Sequence, residues 1–417
     1  MRPQPNIVIP SSVDMPRTVR RVTSNGVPIY TLRSNDFEVV RLSFVFRAGT
    51  SLQHKSFTAS ATANMLGEGS QSMSAQQIAE KLDFYGSYFD VNIDRDYSYI
   101  SFCSLRKFFE PTAEVASEII LRPTFPEKEL GIYCSKRKQS LTIERKKIDM
   151  QSRELFAEAL FGKSHPYGIS SDEGLYDELR REDLVALYHE LYTADNAFIV
   201  CSGNIDDEVL DTISRIAEAL PKGECREVAF PPTTTTHTIC RDVDSALQSS
   251  IRIGRLLFTR THPDFVGMQV VAAVLGGYFG SRLMQNLREE HGYTYGVMAA
   301  MVNFDKEGYL AIATQVAREH REDALREIYS EIERLRTELM EEDELQMVKN
   351  VMIGEILRIL DGPFGIADVT IENIMCGEDN SATERSVAQI FAITPEDVKA
   401  LAERYLTRES LVEVVVG

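Results

Sequence analysis

The sequence predicts an α+β fold of two homologous lobes, each an antiparallel or mixed sheet with helices packed on one face. Three observations predict it. A Pro- and Thr-rich break lies near the middle of the chain, the same order of elements occurs on either side of it, and both halves contain alternating apolar strands. The chain has 417 residues, which is too long for one ordinary core. We therefore expect two units of similar size.

The break is the string Phe-Pro-Pro-Thr-Thr-Thr-Thr at residues 230–236. Two prolines followed by four threonines cannot continue a helix, and they suit an extended linker. This predicts an N-terminal lobe at residues 1–228, a linker at residues 229–236 and a C-terminal lobe at residues 237–417.

The early elements repeat across the break. Each half opens with an alternating strand, at residues 40–46 and 250–254. A helix then ends in Leu-Gly, at 66–67 and 275–276, where glycine suits a left-handed turn after the helix. The two Leu-Gly pairs are 209 residues apart (275 minus 66).

The later elements repeat as well. Aromatic alternating strands are predicted at 88–93 and 97–102, and again at 295–298 and 308–312. Two helices follow in each half, at 112–121 and 126–144 and then at 322–339 and 341–360. The offset between halves drifts by a few residues, as loop insertions between two copies would produce. The pattern indicates a duplicated α+β unit.

Composition excludes some partners and compartments. The formal charge of -18 disfavours nucleic acid and anionic membranes, which need a basic face, and it would suit cationic peptides. The six cysteines are scattered without a CxxC pair, which is typical of reduced thiols. No apolar run is long enough to span a bilayer, and residues 1–6 lack a signal-peptide pattern. We therefore expect a cytoplasmic protein.

The order of elements and several short strings resemble the pitrilysin-type zinc metallopeptidases, the family of insulin-degrading enzymes and mitochondrial processing peptidases. The resemblance runs from about residue 20 to the end of the sequence. The matching strings are Arg-Ala-Gly at 47–49, Met-Leu at 65–66, His-Pro-Tyr-Gly at 165–168, Asp-Asn at 195–196, Gly-Asn at 203–204, Leu-Gly-Gly at 275–277 and Gly-Ser-Arg-Leu at 280–283.

The resemblance also identifies the helix that binds zinc in active members. There, a His-x-x-Glu-His motif precedes Met-Leu, and a Glu on a later long helix is the third ligand. Alignment on Met-Leu at 65–66 puts Ser60 and Asn64 at the histidines and Ala63 at the catalytic Glu. The third ligand corresponds to Glu144, which is retained.

These residues do not form a zinc site, because zinc prefers imidazole, thiolate or carboxylate ligands. No two of the seven histidines are four positions apart, so no other pair on one helix replaces the motif. His54, in the loop before the helix, is expected to lie out of reach of the site. We expect no metal, no cofactor and no catalytic residue in this chain, which would be inactive by itself.

The second half retains a different feature of the family. In active members an Arg and a Tyr seven residues apart help to hold the substrate peptide, and the matching positions are Arg288 and Tyr295. A guanidinium offers fixed donors to peptide carbonyls or a carboxylate, and Tyr adds a hydroxyl beside an apolar ring. The alternative is that Arg288 pairs with a nearby Glu on the surface and that Tyr295 packs in the sheet.

The resemblance implies a non-catalytic, peptide-binding subunit that pairs with a chain of similar size carrying the intact zinc motif, encoded nearby. Together the two chains would degrade or process short peptides, with zinc only in the partner. The alternative is a peptidase-like binding or scaffold protein, such as a homodimer, with no proteolytic role. Loss of the zinc motif fits both hypotheses, whereas Arg288 and Tyr295 favour the first.

Overall fold

The computed structural model describes residue 10, residues 12–224 and residues 228–417. Residues 1–6, expected to lack a signal-peptide pattern, and Cys225 lie outside the described residues. The other five cysteines are free thiols. No helix in the described part of the chain is long and apolar enough to cross a membrane.

A six-stranded sheet is built entirely from residues before the predicted linker. Its strand order is β1-β2-β6-β3-β5-β4. Strands β2 and β6 are parallel, and the other neighbouring pairs are antiparallel. Its strands are β1 Val19–Val22, β2 Pro28–Arg33, β3 Val39–Phe46, β4 Tyr88–Ile93, β5 Ser98–Leu105 and β6 Ala197–Gly203.

A five-stranded sheet is built entirely from residues after the linker. Its order is β7-β11-β8-β10-β9, with β7 and β11 parallel and the other pairs antiparallel. Its strands are β7 Thr238–Arg241, β8 Gln248–Leu257, β9 Val297–Asn303, β10 Gly308–Ala317 and β11 Val412–Val416. Strands β2 to β6 therefore correspond one by one, in chain order and in pairing, to β7 to β11. The predicted α+β fold of two homologous lobes is confirmed.

The helices repeat in the same way. Those before the linker are α1 Thr58–Met65, α2 Ala75–Phe84, α3 Phe109–Leu121, α4 Glu127–Glu144, α5 Ile148–Phe161, α6 Arg181–Leu191 and α7 Asp207–Glu218. Those after it are α8 Phe265–Ala272, α9 Arg321–Thr337, α10 Glu342–Ile359, α11 Pro363–Met375, α12 Ser381–Ala392 and α13 Pro395–Tyr405. Helices α4 and α10 start 215 residues apart (342 minus 127), as do α5 and α11 (363 minus 148).

Alternation along β3 shows how each sheet is covered on both faces. Phe44 and Phe46 point into a core formed with helices of the same half. Val45 points to the opposite face, where it packs with Ala367 and Ile371 of α11 from the other half. Successive strand residues point to opposite faces, so a period of two produces this division.

The second sheet is covered reciprocally. One of its faces packs against helices of its own half. Its other face carries Val412, Val414 and Val416 of β11, which pack against Leu160 and other apolar residues of α5 from the first half. Each sheet thus receives one helix from the opposite half, in addition to the helices that the sequence predicts on one face.

The hairpin turns β4–β5 and β9–β10 meet between the lobes. The backbone N–H of Asp305 donates to Asp96 Oδ2 at 2.9 Å, and these residues are 209 positions apart, the same offset as between the Leu-Gly pairs. Arg47 pairs with Asp305 at 2.8 Å. The contact fixes the relative position of the two lobes around a cleft.

The expectation of a glycine in a left-handed conformation after the first helix of each half is wrong. Gly276 has φ of -159°, and Gly67 is not among the glycines with positive φ. Instead, both glycines avoid steric overlap with equivalent edge strands. A Cβ on Gly67 would lie 2.6 Å from the Phe89 ring of β4, and one on Gly276 would lie 2.7 Å from the backbone N of Ala299 on β9.

The predicted linker contains no helix or strand at residues 228–236. Its backbone bonds to the end of α5, where Thr234 N–H donates to the Phe161 carbonyl at 3.2 Å and Thr236 N–H donates to the Ala159 carbonyl at 2.8 Å. The linker therefore lies against the helix that the first half contributes to the second sheet. The division into lobes at these residues stays a prediction.

Candidate functional site

Small side chains let α1 pack closely into the first lobe. Ala59, Ala61 and Ala63 are fully buried in this helix. Ala63, the position aligned with the catalytic Glu, therefore presents a methyl group to the protein interior. This methyl group has no contact with solvent.

The two positions aligned with the zinc-binding histidines make local hydrogen bonds. Ser60 Oγ donates to the Phe57 carbonyl at 3.4 Å, and Asn64 Nδ2 donates to the Ser60 carbonyl at 2.7 Å. Ser60 is half-buried and Asn64 is exposed. Both side chains thus bond to the backbone of their own helix or its start.

Ser60 and Glu144 line the same cleft, which has a volume of about 670 Å³. Helices α1, α4 and α5 form one side, and residues of the second sheet, including Arg252 and Tyr309, form another. The cleft therefore lies between the lobes, and its volume is within the range of peptide- and ligand-sized pockets. Ala63, Asn64, Arg288 and Tyr295 do not line it.

The residues around Glu144 do not fit a zinc ion. Arg137 also lies on α4, about two helical turns before Glu144, and it lines the same cleft. Burial alone would lower the pKa of the Arg137 guanidinium, but the hydroxyls of Tyr133 and Tyr176 and the Glu144 carboxylate raise it above its ordinary value. A fixed positive charge beside the single retained carboxylate repels a divalent cation.

No other set of side chains in the described part of the chain takes the place of the missing zinc ligands. Among the described residues, no three His, Cys, Asp or Glu side chains are arranged to hold a metal ion. His54 lies closer than the sequence led us to expect, because it lines the cleft. Its Nε2 lies 3.0 Å from Glu190 Oε2 on α6, within hydrogen-bond distance, so the ring is engaged by this carboxylate.

Arg288 and Tyr295 lie outside this cleft, near one end of the second sheet. Arg288 belongs to a π-helical turn, Met284–Glu290, where it pairs with Glu289 at 3.4 Å and lies 4.6 Å from the ring centre of Phe279. Tyr295 precedes β9 and is 92% exposed. The surface pairing of Arg288 matches the alternative interpretation, whereas Tyr295 does not pack in the sheet.

Sequence reasoning missed the residues that the cleft does bring together. Arg95 on the β4–β5 turn, Arg153 on α5, and Arg252 and Tyr309 on the second sheet all line the cleft. They come from four separate elements, so no spacing in the sequence links them. The one local signal is Asp-Arg-Asp at 94–96, a charged turn between two aromatic strands.

A second cleft, with a volume of about 1060 Å³, lies at the equivalent place on the first sheet and is also lined by residues of both halves. It is lined by α10, α11 and α12 and by outward-facing residues of the first sheet, including Arg41. Arg41 pairs with Asp368 of α11 at 2.7 Å, as Arg252 pairs with Asp149 of α5 at 2.6 Å. Duplication has therefore produced two clefts, each with a strand arginine bound to the helix from the other half.

The paired sheets, the exchanged helices and the helix α1 without ligands define the class of protein. It is a two-lobed α+β chain in which helix α1 carries none of the expected zinc ligands. Comparison with known proteins shows what it is similar to. Residues 178–352 match the family model described as the peptidase M16 inactive domain, a range that spans the predicted linker.

Relatives and solved structures agree with this match. The chain is 22% identical over 357 residues to the uncharacterized zinc protease YmxG of Bacillus subtilis, covering 83% of this chain and 85% of the relative. It is 21% identical over 305 residues to the non-peptidase homolog YmxG of Helicobacter pylori, covering 70% and 69%.

A crystal structure of a peptidase M16 inactive domain from Pseudomonas fluorescens has the same fold. It superposes with a TM-score of 0.88 at 24% identity, covering 96% of this chain and 98% of that one. The resemblance to the pitrilysin-type peptidases is thus confirmed: part of the chain matches the M16 inactive-domain model, the chain is similar in sequence to proteins called zinc proteases, and it shares the fold of an M16 inactive domain.

Proposed function

We propose that this chain is the non-catalytic, peptide-binding subunit of an M16-type peptidase, and that a zinc-bearing chain of the same family is its partner. The observation that carries the proposal is Tyr295, which is 92% exposed in a chain whose zinc positions are Ser60, Ala63 and Asn64. So exposed a tyrosine adds little buried area to the fold. A contribution to the stability of the fold therefore does not explain a tyrosine at position 295. Binding of a peptide or partner through its amphipathic ring would explain it.

The neighbourhood of Tyr295 supports the same proposal. Phe279, which lies under the Arg288 guanidinium, is 59% exposed, and Met298 on β9 is 58% exposed. Exposed aromatic and methionine side chains beside an arginine are enriched at protein interfaces. The partner would supply the zinc and the general base, and this chain would supply contacts to the peptide.

The proposal is tested by mixing this chain with a zinc-motif chain encoded nearby and measuring cleavage of short peptides. We expect chelator-sensitive activity that neither chain has alone. Arg288→Ala and Tyr295→Ala should each lower kcat/KM of the mixture by about tenfold, the loss typical of an interface anchor. Phe84→Ala, at an aromatic that is 81% exposed in the other half, is the matched control and should leave activity unchanged.

A binding protein without proteolytic function is the second candidate. The relative from Helicobacter pylori is called a non-peptidase homolog. This candidate would be supported if a zinc-bearing chain brings no activity to the mixture and the protein forms a homodimer in solution. Stoichiometric zinc in the isolated chain, with cleavage that a chelator stops, would contradict both candidates.

A further inference from the structure

The cleft that Ser60 and Glu144 line, called the interlobe cleft from here on, is richer in positive charge than the molecule as a whole. Its described lining has five arginines, Arg95, Arg137, Arg145, Arg153 and Arg252, and three carboxylates, Asp94, Glu144 and Glu154. The whole chain has a formal charge of -18. The net charge of the chain is therefore no guide to the ligand of this cleft, because local charge determines what binds there.

Arg95 is the least compensated of these arginines. Its backbone is fixed, because Asp94 Oδ1 accepts from the N–H groups of Asp96 and Tyr97 at 2.7 Å, and the Arg95 carbonyl accepts from Ser51 N–H at 2.7 Å. Its side chain forms no hydrogen bond or ion pair with any residue that the structure describes. Arg95 is half-buried, and burial lowers the pKa of its guanidinium.

Two more arginines, Arg153 and Arg252, line the same cleft as Arg95, together with Tyr309. The Tyr309 hydroxyl makes no hydrogen bond within the described part of the chain. Burial raises the pKa of Tyr309, and the positive charges of Arg252, Arg95 and Arg153 each act in the opposite direction. Three arginines and one tyrosine thus line this cleft from a turn, a helix and two strands.

Nearby carboxylates do not neutralise the cluster. Asp149 is shared between Arg252, at 2.6 Å, and Arg153, at 3.3 Å. Asp96 is engaged elsewhere, since it accepts from the Tyr167 hydroxyl at 2.7 Å, from Ser51 at 3.0 Å and from the Asp305 N–H. One carboxylate therefore serves two arginines, and Arg95 has none of its own.

We infer that Arg95, Arg153, Arg252 and Tyr309 form an arginine pocket that binds the carboxylate of a peptide in the interlobe cleft. Guanidinium groups match a carboxylate in shape and charge, and the Tyr309 hydroxyl offers one more donor. The apolar rings of Phe156 and Phe304 line the same cleft and suit an adjoining side chain. Only the peptide nature of the ligand rests on the proposed function.

The inference is tested with the isolated full chain by isothermal titration calorimetry. The probes are an N-acetylated hexapeptide with a free C-terminal carboxylate, the same peptide as its C-terminal amide, and that amide with one internal Glu. We expect the free acid to bind about tenfold tighter or more than the plain amide, as charge-assisted hydrogen bonds predict. The Glu-containing amide shows whether a side-chain carboxylate also enters the pocket.

Variants test which residues cause the preference for the free acid over the amide. Arg95→Gln should remove the preference for the acid, and Tyr309→Phe, which deletes only the hydroxyl, should reduce it. Arg260→Gln is the matched control, because Arg260 lines the other cleft, where it is paired with Glu372 at 3.1 Å. It should leave the preference unchanged. Thermal unfolding checks that each variant is folded.

Equal affinity for acid and amide, no binding of any probe, or an unchanged preference in both Arg95→Gln and Tyr309→Phe overturns the inference. These measurements need no partner chain. They can fail while the mixed-chain assay succeeds, and the reverse also holds. Failure of the arginine pocket is therefore distinguishable from failure of the proposed two-chain peptidase.

Discussion

His165, in the string His-Pro-Tyr-Gly, is a structural histidine between the lobes. It is 1% exposed and packs on the rings of Phe161 and Phe230, whose centres lie 5.4 and 5.3 Å away. Its Nδ1 accepts from the Tyr167 N–H at 3.1 Å, which leaves the ring neutral. Burial lowers the pKa of His165 below its ordinary value of 6.5. The string therefore serves packing rather than chemistry.

This burial predicts a pH dependence. The unfolded chain takes up a proton at position 165 near pH 6.5, while the folded chain does so only at lower pH, so stability is lost as pH falls below about 6.5. His165→Gln should be less stable than the wild type at pH 7.5. Its free energy of unfolding should fall less steeply between about pH 6.5 and pH 5, by up to about 1.4 kcal/mol per pH unit.

Urea denaturation over this pH range checks the expectation. His189→Gln, at an exposed histidine of α6, is the control and should keep the wild-type slope. Identical slopes for His165→Gln and the wild type would contradict the assignment of a buried neutral ring.

At the scale of elements, the π-helical turn after α8 brings the chain against the edge of the second sheet. The turn, Ala273–Gly277, contains Gly276 with φ of -159°, a value open to any residue. What excludes a side chain is the backbone of Ala299 on β9. The glycine is needed for space and not for conformation.

Two glycine substitutions test whether position 276 requires glycine for space or for backbone conformation. Gly276→Ala should destabilise the protein by about 1–3 kcal/mol, because its Cβ meets backbone that cannot move aside. Gly354→Ala, on the exposed face of α10 where no atom lies within 4 Å, should stabilise it by about 0.5–1 kcal/mol. Chemical denaturation of both variants gives the comparison. A neutral Gly276→Ala would show that β9 shifts to make room.

At the scale of the whole molecule, the exchange of α5 and α11 joins the lobes. Each sheet has one face covered by a helix from beyond the linker, so neither half by itself buries both faces of its sheet. Helix α5 alone places Leu160 and Phe161, both at most 1% exposed, against the second sheet or beside it. The two lobes should therefore unfold as one cooperative unit.

Cutting the chain at the linker tests this. Residues 12–228 and 237–417, expressed separately, should each expose an uncovered face and bind hydrophobic dyes or aggregate. Expressed together, they should assemble into a complex with the circular dichroism of the intact chain. If residues 237–417 alone unfold cooperatively without dye binding, the exchanged helix is dispensable to the second lobe.

The repeat and several of its strands could be predicted from the sequence, because alternation along β5 and β10 reports directly which residues are buried. Other features could not. The apolar face of α5 shows that it is buried, but not against which sheet. A glycine after a helix looks the same whether it adopts a left-handed turn or approaches a strand.

The candidate site likewise has one part that could be predicted from the sequence and one part that could not. Loss of ligands at Ser60 and Asn64 could be seen from one helix, since the motif is local. The arginine pocket could not, because Arg95 and Arg252 meet only after the lobes dock. Local charge at a docked surface is a property of the tertiary structure, and the net charge of the chain gives no access to it.

The exchanged helix also has a consequence for synthesis on the ribosome. Strand β11 begins 251 residues after α5 ends (412 minus 161), yet it lies inside the second sheet, between β7 and β8, and packs on α5. At roughly 5–20 residues per second, α5 waits on the order of 10–50 seconds before its apolar face can be covered. During this interval the nascent first half presents a hydrophobic surface, which makes it a natural client for a chaperone.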